Sequence, residues 1–265
     1  MFKALTIAGS DSGGGAGIQA DLKTFCSLEV YGATVITAIT AQNTLGVSGI
    51  VMTPVDMVTK QIDAVLGDIG ADACKTGMLG SAGLAAAVAA RLKAHHVDKL
   101  VVDPVMISKS GATLLEDDAI GIVREKLFPL AMVVTPNVPE AERLTGMKIS
   151  CPDDMIPVAA QMLKMGPRII VIKGGHLEGD ATDLVYTKTA QQFLRSPRVI
   201  TRSIHGTGCT FSAAITAYLA RGLDPLDAVK CAKTYITQAI ITAHEIGQGH
   251  SPTNHFWNRR VPDEG

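Results

Sequence analysis

The stretch HGTGCT, residues 205–210, is the best single guide to the fold and the site of this chain. Before it, residues 199–204 alternate in polarity and predict a strand, and after it apolar residues recur at helical spacing from Phe211 to Leu219. A glycine-spaced turn that opens a helix exposes backbone N–H groups without intrahelical partners, beside roughly half a positive charge. The turn therefore predicts an anion site, and a plain strand-to-helix connection is the alternative.

The length of 265 residues allows one large α/β domain or two small ones, and the absence of a dividing linker predicts a single domain over residues 1–265. Apolar residues make up 47% of the chain and charged residues 18%, which is enough for a large core. No linker-like or low-complexity stretch divides the chain, and only residues 257–265 are expected to be a frayed tail. Lys and Arg (24) nearly balance Asp and Glu (25), so no overall field would recruit nucleic acid or an anionic membrane.

Cysteine and histidine usage predicts a cytoplasmic protein without a structural zinc site. The five cysteines are scattered and contain no C-x-x-C, which is typical of a reduced interior rather than a disulfide framework. The seven histidines show no zinc-ligand spacing. We expect neither a secretory signal after Met1 nor a membrane span, since the Ala-rich stretch 83–90 is too short to cross a bilayer.

Short apolar runs alternate with helical patterns along most of the chain. This alternation predicts a mainly parallel sheet with helices on both faces, and a hairpin at residues 184–187 and 192–194 covering one sheet edge. Strand-end loops of such a sheet gather along its carboxyl edge, where ligands bind. The residues expected to be neighbours there are Gly9, Gln42, Met78, Asp103, Asn137, Lys173 and Gly206.

The residues at this edge favour phosphoryl transfer. Lys173, followed by two glycines, is suited to phosphate, and Asp103 and Glu140 offer the hard oxygens that Mg²⁺ prefers. The alternatives are a solvated lysine, an aspartate that caps a turn and a glutamate in a solvated helical turn. Asp21 would hold a polar substrate group or lie on the surface. Neither a Walker A loop nor a Rossmann fingerprint fits the glycines at 9–17, because their spacing is wrong.

A Cys–His nucleophilic pair at the opening turn is not favoured. His205 and Cys209 are four residues apart, but His205 precedes the helix, so helical proximity does not apply. No G-x-S-x-G-type elbow surrounds the cysteine. A cysteine hydrolase therefore remains only as a rival hypothesis, which activity without magnesium would support.

Several motifs together resemble the bacterial hydroxymethylpyrimidine/phosphomethylpyrimidine kinases, a family of the ribokinase-like superfamily. The matching segments reach from the N-terminus to residue 256, and they are AGSDSGGGAGIQADLK at 8–23, AQNT at 41–44, KTGML at 75–79, DPVM at 103–106, TPN at 135–137, KGGH at 173–176 and HGTGCT at 205–210. The resemblance implies a three-layer α/β/α sandwich, often dimeric. It also implies ATP-dependent phosphorylation, with magnesium, of 4-amino-5-hydroxymethyl-2-methylpyrimidine and then of its monophosphate, in thiamine biosynthesis.

The resemblance also implies roles for individual residues. Gln42 would grip the aminopyrimidine, and the residues around its ring would be Gly9, Asp21, Met78 and Val105. Lys173 and the turn formed by Gly206, Thr207, Gly208 and Cys209 would hold the transferring phosphates. Asn137 and Glu140 match an N-x-x-E element near magnesium, and Asp103, Asn137, Lys173 and Gly208 would bind the nucleotide. Ser251 is a departure, since the family usually has glycine there.

Cys209 stands where sugar kinases of this fold usually have an aspartate base. A thiol at a helix N-terminus is expected to have a lowered pKa and to act as a weaker base. Alternatively, no base is needed for the second step, because a phosphate monoester with a second pKa of about 6 is already mostly ionised. We expect Cys209→Ala to harm the first phosphorylation more than the second.

Two further rival functions, beside the cysteine hydrolase, remain open from the sequence. Pyridoxal kinases share the fold and the cysteine turn, but Gln42 offers a donor and an acceptor and suits an aminopyrimidine edge better. A non-catalytic sensor on the same scaffold is disfavoured by the intact Lys173, Asp103 and Cys209. Residues 108–112 and 177–182 are small and polar and are candidates for a mobile cover.

Overall fold

The computed structural model describes residues 1–106 and 117–259. Its strands are β1 (Lys3–Asp11), β2 (Tyr31–Gln42), β3 (Val47–Met52), β4 (Ala73–Thr76), β5 (Leu100–Val102), β6 (Val133–Val134), β7 (Ile169–Ile172), β8 (Ala181–Thr187) and β9 (Gln191–Ser196). Its α-helices are α1 (Gly17–Ser27), α2 (Val55–Ala64), α3 (Ala82–Ala94), α4 (Asp117–Ile122), α5 (Val138–Thr145), α6 (Met155–Leu163), α7 (Thr207–Ala220) and α8 (Pro225–Ile241).

Within the described residues these strands form one nine-stranded sheet in the order β3-β2-β1-β4-β5-β6-β7-β8-β9. The six strands from β2 to β7 in this order are parallel. β3 is antiparallel at one edge, and the β8–β9 hairpin is antiparallel at the other. The predicted parallel sheet and the edge hairpin are therefore confirmed, whereas β3 was not anticipated.

Two hydrophobic cores lie on opposite faces of the sheet. Successive residues of a strand point to opposite faces, and in β1 Ala4 joins one core while Leu5 and Ile7 join the other. The core of Ala4 is closed by α1, α7 and α8, and the core of Leu5 by α2, α3, α4, α5 and α6. The result is the expected three-layer α/β/α sandwich. Each fully buried aliphatic side chain contributes about 1.5–3 kcal/mol to its stability.

Local signals position several helices around the sheet. The Ser81 hydroxyl accepts a hydrogen bond from the Leu84 N–H and caps α3, as predicted, and the Asp224 carboxylate caps α8. The last helix nevertheless ends at Ile241, six residues before the expected Gly247. None of the helices in the described part of the chain is long and apolar enough to cross a membrane.

Residues 199–204 do not form the predicted strand. The Ile204 N–H bonds to the Arg202 carbonyl in a local turn, and the same carbonyl accepts from the Ser251 N–H. The segment follows the edge strand β9 and has no neighbouring strand in the sheet with which to pair. Alternation by itself therefore misled the prediction, because a strand also requires a partner for its backbone groups.

The segment after α8 packs against the rest of the protein over more residues than expected. The Trp257 and Tyr235 rings lie 5.8 Å apart, and the Asn258 side chain accepts a 2.6 Å hydrogen bond from the Ser27 hydroxyl of α1. Residues 257–259 are thus not loose. The rest of the expected tail, residues 260–265, lies outside the described residues, as does the candidate cover at 108–112.

Candidate active site

A cavity of about 370 Å³ opens at the carboxyl edge of the parallel strands. All seven strand-end residues expected to be neighbours line it, from Gly9 at the end of β1 to Gly206 before α7. Glu140, Val105, Thr207, Gly208 and Cys209 line it as well. The topology therefore brings together every residue of the proposed site except Asp21.

The start of α7 forms one wall of the cavity. Gly206 precedes the helix with a φ of +74°, and a side chain there would also lie 1.8 Å from the Gly15 carbonyl oxygen. Gly208 is the second helical residue, and a Cβ on it would lie 3.3 Å from Lys173 Nζ. The first-turn N–H groups and the ammonium thus face the same region, which gives an anion two kinds of donor.

Lys173 and Asp103 form an ion pair at the base of this wall, with Lys173 Nζ 2.8 Å from Asp103 Oδ1. Thr135 and Ser212 also donate to the carboxylate, at 3.2 and 3.3 Å. Burial alone would raise the pKa of Asp103, but Lys173 and Lys75 reverse that effect and lower it. Burial would lower the pKa of Lys173, and the Asp103 and Glu140 carboxylates raise it instead. The pair is therefore fully charged at neutral pH.

Glu140 and Asn137 form a capping box at the start of α5. The Glu140 N–H donates to Asn137 Oδ1 at 2.9 Å, and the Asn137 N–H donates to Glu140 Oε2 at 2.8 Å. Burial raises the pKa of Glu140 to about 7, an effect that Lys173 opposes and Asp103 strengthens. The N-x-x-E element is thus also a structural device, a role that was not anticipated from the sequence.

The carboxylates of Asp103 and Glu140 fit a magnesium ion only in part. Within residues 1–106 and 117–259, no group of three or more His, Cys, Asp or Glu side chains is arranged to hold a metal. Mg²⁺ in phosphoryl-transfer sites is commonly bound by one or two carboxylates together with phosphate oxygens and water. The two carboxylates suit that arrangement and do not form a complete site by themselves.

Asp21 is buried and is not among the residues that line the cavity, whereas the resemblance implied that it lies around the substrate ring. Its carboxylate accepts from Lys75 Nζ at 2.8 and 2.9 Å and from the Thr6 hydroxyl at 2.6 Å. Both side chains of the Asp21–Lys75 pair are completely buried. The acid on the first helix thus holds a buried lysine, whose importance was not evident from the sequence.

Cys209 lines the cavity, but its thiol is not the acidic one expected at a helix N-terminus. Burial raises the pKa of Cys209 to about 11; Lys75 lowers it in part, and Asp21 and Asp103 raise it further. Burial is the largest effect, so the thiol is protonated at neutral pH despite its position at the start of a helix. Its role as a base is correspondingly weakened.

The glycine loop after β1 is organised by Asp11, another residue whose role was not anticipated. Its carboxylate accepts from the N–H groups of Gly13, Gly15 and Ala16 at 2.8–3.1 Å and from His205 Nε2 at 2.9 Å. Burial acts to raise the pKa of Asp11, but the His205 hydrogen bond and the backbone donors lower it. The fixed loop geometry follows from an ionised carboxylate, a signal visible in sequence only as S-D-S-G-G-G.

The Lys173-Gly174-Gly175 turn is stabilised by two side chains outside the cavity lining, Asp183 and Lys233. The Gly174 N–H donates to Asp183 Oδ1 at 2.9 Å, and Lys233 Nζ lies 2.8 Å from Asp183 Oδ2. The candidate cover at 177–182 is attached as well, because Arg198 donates to the carbonyls of Gly175, Leu177 and Gly179. These side chains come from β8, α8 and a distant loop, so no local pattern could have revealed them.

Comparison with known proteins agrees with this geometry. The sequence matches the family model of phosphomethylpyrimidine kinase over residues 11–254. It is 48% identical over 262 residues to the hydroxymethylpyrimidine/phosphomethylpyrimidine kinase of Bacillus subtilis, covering 98% of this chain and 97% of that protein. It is 53% identical over 254 residues to the thiamine biosynthesis bifunctional protein ThiED of Geobacter sulfurreducens, covering 95% of this chain and about half, 52%, of that protein.

A solved structure is similar over almost the whole chain. The ADP complex of Bacillus subtilis pyridoxal kinase aligns with a TM-score of 0.90 and 41% identity, covering 96% of this chain and 97% of that one. The fold is therefore that of the ribokinase-like kinases, as expected. The chain belongs to the phosphomethylpyrimidine kinase family.

Proposed function

We propose that this chain is an ATP-dependent kinase of thiamine biosynthesis. It phosphorylates 4-amino-5-hydroxymethyl-2-methylpyrimidine and then converts the monophosphate to the diphosphate. The observation that carries the proposal is the joint position of Lys173 and the start of α7, where a Cβ on Gly208 would lie 3.3 Å from the ammonium. Catalysis of phosphoryl transfer is mostly positioning and charge stabilisation, and this wall supplies both.

Two groups of residues in the cavity lining support the proposal. Gln42, Gly9, Met78 and Val105 line the cavity and would bind the pyrimidine ring. Lys173, Gly208, Asn137 and Asp103 line it as well and would bind the nucleotide phosphates. Mg²⁺ would be held by Glu140 and Asp103 with phosphate oxygens, where it would neutralise charge on the transferring group.

The two phosphorylation steps make different demands on the residue at position 209, where the structure has a protonated thiol. The first acceptor is a neutral hydroxyl, which benefits from a proton acceptor or a hydrogen-bond partner as it attacks. The second acceptor is a phosphate monoester, whose oxygen is already mostly ionised at neutral pH. An aspartate in place of Cys209 would repel that dianion, whereas a neutral thiol does not.

The direct test incubates the full-length protein with ATP, Mg²⁺ and the free pyrimidine and separates monophosphate from diphosphate over time. We expect the monophosphate to form first and the diphosphate to follow, each with one equivalent of ADP. No ADP release at all would refute the proposal and favour the sensor hypothesis, whereas ADP release that does not depend on the pyrimidine would refute both.

Pyridoxal phosphorylation is the second candidate function, because a pyridoxal kinase aligns with a TM-score of 0.90. The Gln42 amide offers both a donor and an acceptor to an aminopyrimidine edge, so we expect pyridoxal to be the poorer substrate. The measurement is kcat/KM for both compounds with the same preparation. A higher value for pyridoxal would reverse the order of the two functions.

We also propose that the chain works as a homodimer in the cytoplasm. Edge strand β3 and its neighbour β2 expose several apolar side chains, namely Ile39, Ile50, Val51 and Met52. Such an exposed apolar edge is a typical interaction surface, and a second copy would cover it. Light scattering on the purified protein tests this, and Val51→Glu, at a residue 69% exposed, should yield the monomer.

The cysteines support the proposed location in the cytoplasm. All five cysteines are unpaired, which suits a reducing compartment.

A further inference from the structure

Three segments of the chain meet at one small hydrogen-bonded cluster in the cavity lining: Asp11 at the end of β1, Gln42 at the end of β2 and His205 before α7. His205 Nε2 lies 2.9 Å from Asp11 Oδ2 and 3.4 Å from the end of the Gln42 amide that is placed as the nitrogen, Nε2. The Asp11 and His205 side chains are 3% and 12% exposed, so the cluster is largely shielded from solvent. It therefore acts on Gln42 with little competition from water.

The proton on His205 is assigned by its neighbour. An ionised carboxylate only accepts hydrogen bonds, so His205 Nε2 carries a hydrogen and donates it to Asp11. This N–H can also reach the nearby end of the Gln42 amide, but only an oxygen there can accept it. The oxygen and nitrogen of an amide are assigned from their partners, so we reverse the placed order and assign the Gln42 oxygen to the side of His205.

Thr40 is consistent with this assignment and cannot impose it alone. Its hydroxyl lies 2.9 Å from the Ser10 carbonyl, to which it donates, and 3.0 Å from the other end of the Gln42 amide. That end is placed as Gln42 Oε1, to which the hydroxyl would donate; in the reversed order its hydrogen stays on Ser10 and it accepts from the Gln42 NH₂ group. A hydroxyl can serve as donor or acceptor, so Thr40 tolerates either amide order, whereas the His205 N–H tolerates one.

The backbone of Gln42 is held as firmly as its side chain. The Ser12 hydroxyl lies 2.8 Å from the Gln42 nitrogen, which donates to it, and 2.7 Å from the Gln42 carbonyl oxygen, to which it donates. Ser12 follows Asp11 directly, so the loop that holds His205 also holds the main chain of Gln42. The main chain of Gln42 is therefore fixed beside His205, and only the order of its amide remains to be set by the side chains around it.

We propose that His205, held by Asp11, is a specificity-determining positioning residue that fixes the order of donor and acceptor on the Gln42 amide. The proposal rests on the proposed function, in which Gln42 binds the pyrimidine. A 4-aminopyrimidine presents a ring acceptor beside an amino donor, and a 4-oxo analogue presents a ring N–H donor beside a carbonyl acceptor. These two edges require opposite amide orders, so a fixed order selects one of them.

The test measures kcat/KM for the 4-amino substrate and for its 4-oxo analogue, and takes their ratio. In His205→Leu the amide is free to rotate, so we expect the ratio to fall by at least about threefold to tenfold, the range of one neutral hydrogen bond. His205→Gln restores an N–H donor near the same place and should recover most of the ratio. KM for ATP should change little in both variants.

A matched control exists in the chain, since His95 Nε2 also lies 2.8 Å from an aspartate, Asp63, outside the cavity lining. His95→Leu should leave the ratio unchanged. Equal losses for both substrates in His205→Leu, with an unchanged ratio, would overturn the inference. A ratio that Gln42→Leu does not change would instead refute the proposed role of Gln42, so the two failures are distinguishable.

Discussion

Two lysine–aspartate pairs lie close to each other at the carboxyl end of the sheet, and they differ in access rather than in chemistry. In each pair the lysine Nζ lies 2.8 Å from a carboxylate oxygen. The Lys75–Asp21 side chains, here the buried pair, are 0% exposed. In the Lys173–Asp103 pair, here the cavity pair, Lys173 is 17% exposed and lines the cavity. Access alone separates a pair that supports the site from one that can meet a ligand.

The difference shows why a charged residue beside a site need not belong to it. Burying an ion pair removes the hydration of both charges, and each charge is then compensated only by its partner. Removing one partner therefore destabilises the fold strongly. A pair that faces a cavity can exchange partners when a phosphate arrives. Cys209 lies within electrostatic reach of both pairs, because the negative charge of its thiolate would interact with Lys75 and with Lys173.

The largest expected effect follows from breaking the buried pair. Lys75→Met should lower the free energy of unfolding by about 3–5 kcal/mol, because it leaves Asp21 buried without its counter-charge. The double variant Lys75→Met with Asp21→Asn should recover much of this loss. Urea denaturation of both variants provides the measurement. Lys60→Met, in the exposed Lys60–Asp56 pair, is the control and should change stability by less than about 1 kcal/mol.

Breaking the cavity pair should affect catalysis instead. Lys173→Met should lower kcat by about 10²–10³-fold, since it removes a charged donor aimed at the phosphates. Asp103 keeps its hydrogen bonds from Thr135 and Ser212, so the loss of stability should be smaller than for Lys75→Met. ADP release at saturating substrate tests this. If Lys75→Met reduced kcat as much as Lys173→Met at equal folded fraction, the contrast between the pairs would be wrong.

Glu140, beside the cavity pair, should make the free energy of unfolding depend on pH. Its pKa is about 7 in the folded protein and 4.5 for an unperturbed glutamate, so the folded protein binds more protons between these values. Its contribution to stability is full below pH 4.5 and is lost as the pH rises through about 7. We expect the apo protein to lose on the order of 3 kcal/mol in this window relative to Glu140→Gln. Parallel pH profiles of the two proteins would contradict this.

The smallest effect is expected at Cys209, between the two pairs. Because burial raises the pKa of the thiol to about 11, little thiolate exists at neutral pH. Cys209→Ala should therefore slow the first phosphorylation by less than about tenfold, below the usual contribution of a general base, and the second by less still. Separate rates with the free pyrimidine and with its monophosphate provide the measurement. Equal losses in both steps would contradict the idea that the second step needs no base.

The sequence predicted the parallel sheet, its edge hairpin and the convergence of seven strand-end residues, because these follow from local patterns and one topological rule. It failed for residues 199–204, where alternation was present but a pairing strand was not. It hinted at the three local hydrogen bonds of Asp11 only through S-D-S-G-G-G. The fourth bond joins Asp11 to His205, 194 positions away, and no local pattern reveals it.

The sequence by itself determined which chemistry could gather at the sheet edge: a lysine before two glycines, two carboxylates, an amide and a helix-opening turn. Only the tertiary structure decided how each group is used. It buried Asp21 against Lys75, left Lys173 facing the cavity and raised the pKa of Cys209 where the helix position predicted a lower one. The physical reason is that solvation depends on every element packed around a group, whereas motif and spacing describe only its own segment.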